Sequence, residues 1–234
     1  MEDHRFIDRY FESEAVLLKI DYSEQRNMTT FMTYLTNLHS VGDKLRDRFK
    51  CKINNIPEFI ILRVIRNYFH HVDDIETYRM FVELEQWGFY EHNRHLIISM
   101  KDFAKSIKNF INTNHDKKYV AKQIDLMCKF IDYEIIDKID ELTNLPKISI
   151  DGKHYELGID IFKYIYNISN IIADQCRQIE ALKNKEVILN LEETYTKKFN
   201  IPKRDLVCNP ENIPLMTTEG LVFPKDKNSI KRTL

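Results

Sequence analysis

Only five of the 234 residues are glycine, against an average usage of roughly 7%, and that scarcity constrains the fold more than any other feature. Sheets joined by tight turns need residues that accept a positive φ, and glycine does so at the least steric cost. A chain this poor in glycine reads as helices joined by short polar loops.

The apolar periodicity agrees. Between about Ser23 and Lys50, the residues Met28, Phe31, Leu35, Leu38, Val41, Leu45 and Phe49 recur every three or four positions and line one stripe of a long helix. The next helix has its start signal at Asn54-Asn55 ahead of Pro57 and Glu58, because proline tolerates the first turn and glutamate suits the positive end of the helix dipole. It should run to about His70, with Ile60, Ile61, Val64, Ile65 and Tyr68 inward and Arg63, Arg66, Asn67 and His70 outward. Val72-Asp73-Asp74 reads as a break and an N-cap for a further helix through Ile75, Tyr78, Phe81, Val82 and Leu84, closing near Trp87-Gly88.

Glu91 to Arg94 reads as irregular. Helices are expected from about Asp102 to Ile111 and from Tyr119 to Leu145, the second with Ile124, Met127, Ile131, Ile135 and Ile139 inward, and the loop between them carries Asn112, Asn114 and His115. Ile148-Ser149-Ile150 and Lys153 to Leu157 flank Asp151-Gly152, a hairpin signal. Ile161, Ile165, Ile168, Ile172, Cys176, Ile179 and Leu182 mark a long helix from about 159 to 185. Past about Asn200, Pro202, Pro210, Pro214 and Pro224 punctuate a stretch ending in Lys225, Lys227, Lys231 and Arg232, so an extended or partly disordered tail is expected. The predicted fold is therefore all-α: a helical bundle over 1–145, a β-hairpin and long C-terminal helix packed on it over 146–200, and a tail over 201–234.

Composition narrows the function. With 43% hydrophobic residues and a mean hydropathy of -0.44, the chain falls in the globular class, far from disorder. A formal net charge of -1 excludes a uniformly basic nucleic-acid coat, while a local basic patch could still bind phosphate. Cys51, Cys128, Cys176 and Cys208 form no CxxC pair, so neither a zinc knuckle nor a disulfide framework is suggested. The charged start Met1-Glu2-Asp3-His4-Arg5, with no apolar run near 18 residues anywhere, points to cytoplasmic residence free of a membrane.

One polar cluster could carry chemistry: Arg66-Asn67-Tyr68-Phe69-His70-His71. Arginine stabilises charge growing on phosphorus, histidine moves a proton, and asparagine orients a partner, so a phosphodiester could be cut with no metal or other cofactor. Asparagine directly after arginine, with histidine at a fixed spacing, is expected by chance only about 0.03 times in a chain of this composition.

That cluster resembles the R-N-x-x-x-H motif of HEPN ribonucleases, a superfamily that includes toxins, abortive-infection proteins, anticodon nucleases and RNA-targeting CRISPR effectors. The resemblance implies an all-helical HEPN-like bundle and metal-independent cleavage of RNA, tRNA among the candidates, by 2'-hydroxyl attack to give a 2',3'-cyclic phosphate. It also implies a homodimer joining two motifs in one composite site, a toxin or antiviral defence setting, and an antitoxin or other regulatory protein as a partner. On this resemblance Arg66 binds phosphate and stabilises the transition state, Asn67 orients, and His71 is the general acid or base. Arg63 and His70 fit a looser form of the spacing, and Asp73 and Asp74 are placed to orient a histidine.

Other readings stay open. Arg66, Asn67 and His71 also suit a plain helix C-terminus, where basic groups meet the negative end of the dipole and pair with Asp73 or Asp74. His70, His71, Asp73, Asp74 and His115-Asp116, with Asp125, Asp132 or Asp137, contain the residue types of an HD-type metal-dependent phosphohydrolase. Glu91, His92 and His95 are a further conceivable ligand set. A non-enzymatic interaction protein would dock a partner through the helix at 159–185 and the basic tail.

Overall fold

The computed structural model describes residues 3–19, 28–86, 89–150, 152–206, 215–222 and 230–232. Helices α1 (Phe6–Leu18), α2 (Met28–Phe49) and α3 (Pro57–His71) come first. Of the stripe predicted for α2, Phe31, Leu35, Leu38, Val41 and Leu45 are buried and Phe49 is partly so. Pro57 sits in the first turn of α3 as expected, and Phe59 to Leu62, Val64, Ile65 and Tyr68 are buried.

The next segment differs from the sequence reading. Strands β1 (Thr77–Gln86) and β2 (Phe89–Ser99) replace the helix predicted from Ile75 to Leu84 and the irregular stretch predicted at 91–94. They pair antiparallel from Thr77↔Ile98 to Gln86↔Phe89, and the predicted closing pair Trp87-Gly88 lies outside the described residues. Apolar spacing over ten residues is compatible with either period. The choice fell to a long-range partner, because Ile97, Ile98 and Ser99 pair with Asp160, Ile159 and Gly158 of a distant strand.

Helix α4 (Met100–Thr113) follows directly, with the Ser99 side chain accepting from Asp102 N–H at its start. The single helix predicted from Tyr119 to Leu145 is three pieces: α5 (Lys117–Met127), α6 (Tyr133–Asp137) and α7 (Ile139–Leu142). Asp116 caps α5 and Asp132 caps α6 through their carboxylates, so an aspartate inside the apolar pattern acts as a new start rather than a helix interior. Met127, Ile131 and Ile135 are nonetheless buried, and Ile124 and Ile139 are partly so.

The predicted hairpin forms as β3 (Ile148–Ile150) and β4 (Lys153–Tyr155), with Gly152 at φ 81° in its turn. Strand β5 (Gly158–Asp160) completes the β1–β2 sheet, which delays the long helix, α8, to Phe162–Gln178. After it come α9 (Glu186–Leu189) and α10 (Lys203–Leu206). The described part of the predicted tail is not simply extended: β6 (Leu215–Thr217) pairs with β7 (Gly220–Val222), and β8 (Ile230–Arg232) pairs with β3. These strands rely on contacts with residues 148–157, including the bridge Leu157↔Thr217, and local punctuation by proline does not reveal such pairing.

The main core draws on α1, α2, α3, α4, α5, α6, α8 and α9, from Phe6 to Ile188. Burial pushes the thiol of Cys176 up to about 12, and Cys51, Cys128 and Cys176 are free. A polar network lies inside this core. Tyr10 Oη is 2.8 Å from Ser169 Oγ, and Tyr195 Oη donates to Glu14 at 3.1 Å. Glu14 is 2% exposed, and burial raises its carboxyl to about 7 against the hydrogen bonds from Ser169 and Tyr195. Among the described residues no helix is long and apolar enough to cross a membrane.

Candidate active site

Helix α3 presents its polar face beside α2 and α5. The two helices α2 and α3 approach closely at Gly42, where a Cβ would stand 2.4 Å from the Phe59 ring. A second contact, Phe31 against Phe69 with centroids 6.2 Å apart, fixes them as antiparallel. His39 of α2 therefore comes level with the turn holding Leu62 and Arg63, and Arg66 lies one turn farther along α3.

Arg66 Nη1 donates to Asn67 Oδ1 at 3.2 Å, so the two residues that the motif pairs in sequence also touch in space. Both are half-buried. The Nε of Arg66 is buried with no hydrogen-bond partner among the described residues. A buried donor left unpaired costs about 1–3 kcal/mol or more for a charged group, and such a group asks for an acceptor.

Arg63, by contrast, is committed to the fold. Its Nη2 donates to Gln123 Oε1 of α5 at 2.6 Å, and its guanidinium stands 5.8 Å from the Phe59 ring centroid. Burial holds its pKa below the usual arginine value. Gln123 is itself only 3% exposed, so this bond ties α3 to α5.

His70 and His71 are exposed in the last turn of α3. Their Nδ1 atoms are 3.3 Å apart and their ring centroids 4.5 Å apart at 67°, so one ring donates to the other. Helix geometry places a residue four positions on about 40° round from Arg66 and one five positions on about 140° round. His70 thus shares the face of Arg63 and Arg66, while His71, four positions on from Asn67, lies on the side of Asn67. Asp73 and Asp74 are exposed, and Asp73 Oδ1 accepts from the Asp74 backbone N–H at 3.0 Å. That bond spends the Asp73 carboxylate on the chain turn.

The structure adds two residues that the motif does not contain. On α2, His39 Nδ1 is 3.1 Å from Asp43 Oδ2, and the other Asp43 oxygen meets Arg46 at 3.0 Å. His39 keeps 34% of its side chain exposed. Burial holds its pKa below the ordinary histidine value, the charges of Arg66, Arg63 and Arg46 act in the same direction, and Asp43 opposes them. The only local signal for this pair was a histidine and an aspartate at i, i+4 on the polar side of α2.

The other candidate residues are placed elsewhere. Asp116 and Asp132 act as helix caps, and Asp125 accepts from Tyr133 Oη at 3.2 Å. His95 is bound to Asp160 at 2.9 Å, while the side chains of Glu91 and His92 lie outside the described ones. Among the described residues no group of three or more His, Cys, Asp or Glu side chains is gathered to hold a metal ion. Comparison with protein-family models, with curated proteins and with solved structures finds no match to the chain.

Proposed function

We propose that the protein is a metal-independent ribonuclease of HEPN type that cleaves RNA phosphodiesters at the end of α3. The observation carrying this reading is the bonded pair Arg66–Asn67, half-buried beside two exposed histidines, with an arginine whose partner among the described residues is an amide rather than a carboxylate. An arginine not neutralised by an ion pair keeps its charge for phosphate, and its planar fork suits phosphate oxygens. Arg66 would hold the phosphate and offset the charge that grows on it, Asn67 would fix the guanidinium, and His71 or its neighbour His70 would transfer the proton.

The same reading includes a homodimer that brings two α3 ends together, a cytoplasmic toxin or defence setting, and a regulatory protein that restrains the activity. Its test is cleavage of total RNA and tRNA by the purified protein in EDTA, with Arg66→Ala, His70→Ala and His71→Ala checked for unchanged helicity. Loss of cleavage in Arg66→Ala and in one histidine variant is the expected result, with a drop of about 100-fold or more. No cleavage, or cleavage indifferent to Arg66, would refute it and favour an interaction protein.

A further inference from the structure

Arg66 lies between histidines along α3. His70 and His71 stand about a turn or a turn and a half beyond it. On its other side, one turn back and across the α2–α3 contact, is His39. Histidines therefore flank Arg66 along the α2–α3 pair, and the Arg66 charge is among those acting on the His39 ring. In-line displacement needs a base at the attacking oxygen and an acid at the leaving oxygen, on opposite sides of phosphorus.

His39 also has the local chemistry of a base. Asp43 engages Nδ1 and is itself fixed by Arg46, which holds the ring in the tautomer with hydrogen on Nδ1 and leaves the lone pair of Nε2 free. The charged groups acting on the ring are Asp43 and Arg46 from α2 and Arg63 and Arg66 from α3, and together with burial they disfavour the imidazolium. A general base must be unprotonated when substrate arrives.

We propose that His39, held by Asp43, is the proton acceptor of the Arg66 site, so that one chain supplies proton-transfer groups on both sides of the phosphate-binding arginine; this rests on the phosphodiester-cleavage reading above. In the step, the 2'-oxygen forms a bond to phosphorus as its proton passes to Nε2 of His39. The bond from phosphorus to the 5'-oxygen breaks, and that oxygen takes a proton from a histidine at the end of α3. The products are a 2',3'-cyclic phosphate and a 5'-hydroxyl, and the two histidines have exchanged protonation states, which solvent restores. Each chain of the homodimer then carries both proton-transfer groups beside its own Arg66.

The test is cleavage of a short RNA in EDTA between pH 5 and 9 by wild type, His39→Ala, Asp43→Asn and Arg66→Ala, each checked for helicity and melting temperature. His39→Ala is expected to lower kcat by about 100-fold or more with KM little changed, and added imidazole should restore part of the activity. Asp43→Asn should lower kcat by about 10-fold or more and move the acidic limb of the rate profile to lower pH, because the carboxylate that favours the imidazolium is gone. Wild-type cleavage that Arg66→Ala abolishes but His39→Ala leaves intact would overturn the role of His39 and leave the nuclease reading standing. Loss in His39→Ala that imidazole does not restore, with an unmoved acidic limb in Asp43→Asn, would overturn it too. Absence of wild-type cleavage overturns both.

Discussion

Glu14 and Arg66 are both ionisable groups drawn into the packed part of the molecule, and their surroundings treat them in opposite ways. Glu14 is closed off between α1 and α8 and accepts from Tyr195, with Ser169 and Tyr10 completing the network. Every part of that cluster is used in holding elements together. Among the described residues, Arg66 keeps an unpaired buried Nε and its guanidinium bonds to its neighbour Asn67, with His70 and His71 exposed in the following turn. Buried polar groups in folded chains are normally satisfied; among the described residues four such atoms are not, on His4, Asn54, Arg66 and Asn170, and Arg66 is the one that places a guanidinium there. A shifted carboxyl alone would have pointed to Glu14, which is 2% exposed and bonded within the core.

The largest expected effect tests the structural half of that contrast. The folded-state value of Glu14 is raised to about 7 from 4.5, so the stability it provides is complete below about pH 4.5 and is lost as pH rises through 7. Linkage puts the loss near 3 kcal/mol by pH 8, as an order of magnitude. Glu14→Gln should remove it, so urea unfolding at pH 5 and pH 8 should give nearly equal midpoints for the variant and a lower midpoint at pH 8 for wild type. Equal midpoints in wild type would break the comparison.

Gly42→Ala comes next. Its Cβ would meet the Phe59 ring at 2.4 Å, and forcing α2 from α3 should cost about 1–3 kcal/mol. Because the same contact brings His39 alongside Arg66, cleavage should fall more than melting temperature predicts. A stability loss with full activity would separate the two helices' packing from the site. Arg63→Ala should cost about 1–2 kcal/mol, since it leaves the buried Gln123 oxygen without its donor. Its effect on cleavage should be smaller than that of Arg66→Ala, and the reverse ranking would move the phosphate-binding role to Arg63.

The smallest effect has the sign opposite to Glu14. The folded-state value of His39 is lowered, chiefly by burial, so its contribution is complete above the unfolded value near 6.5 and is lost as pH falls through the folded one. His39→Gln should slightly flatten the acid side of the stability curve and leave the alkaline side, which Glu14 controls, unchanged. Thermal melts at pH 5, 7 and 8.5 read both limbs.

Long apolar stripes were legible for α2, α3 and most of α8, which formed where those stripes lay, and the proline at position 57 began α3, while the stripe from 119 to 145 broke into three helices. Elements that depend on a distant partner were not. The segment 77–86 fits a helix by spacing and became a strand because β2 and then β5 paired beside it. The strands after residue 215 depend in the same way on residues 148–157. A break such as Asp132 lay in plain view, yet capping competes with helix continuation by about 1 kcal/mol, too little for pattern alone to decide.

The candidate site divides along the same line. Arg66, Asn67, His70 and His71 are neighbours in sequence, so their placement on the last turns of one helix followed from local geometry alone. Which arginine is spent on Gln123, and that His39 with Asp43 stands across the helix contact from α3, were settled by tertiary packing. The reason is physical: helical periodicity is a local property with a range of a few residues, whereas the antiparallel crossing at Gly42 and Phe59 joins positions 17 apart in the chain, and only packing sets such a register.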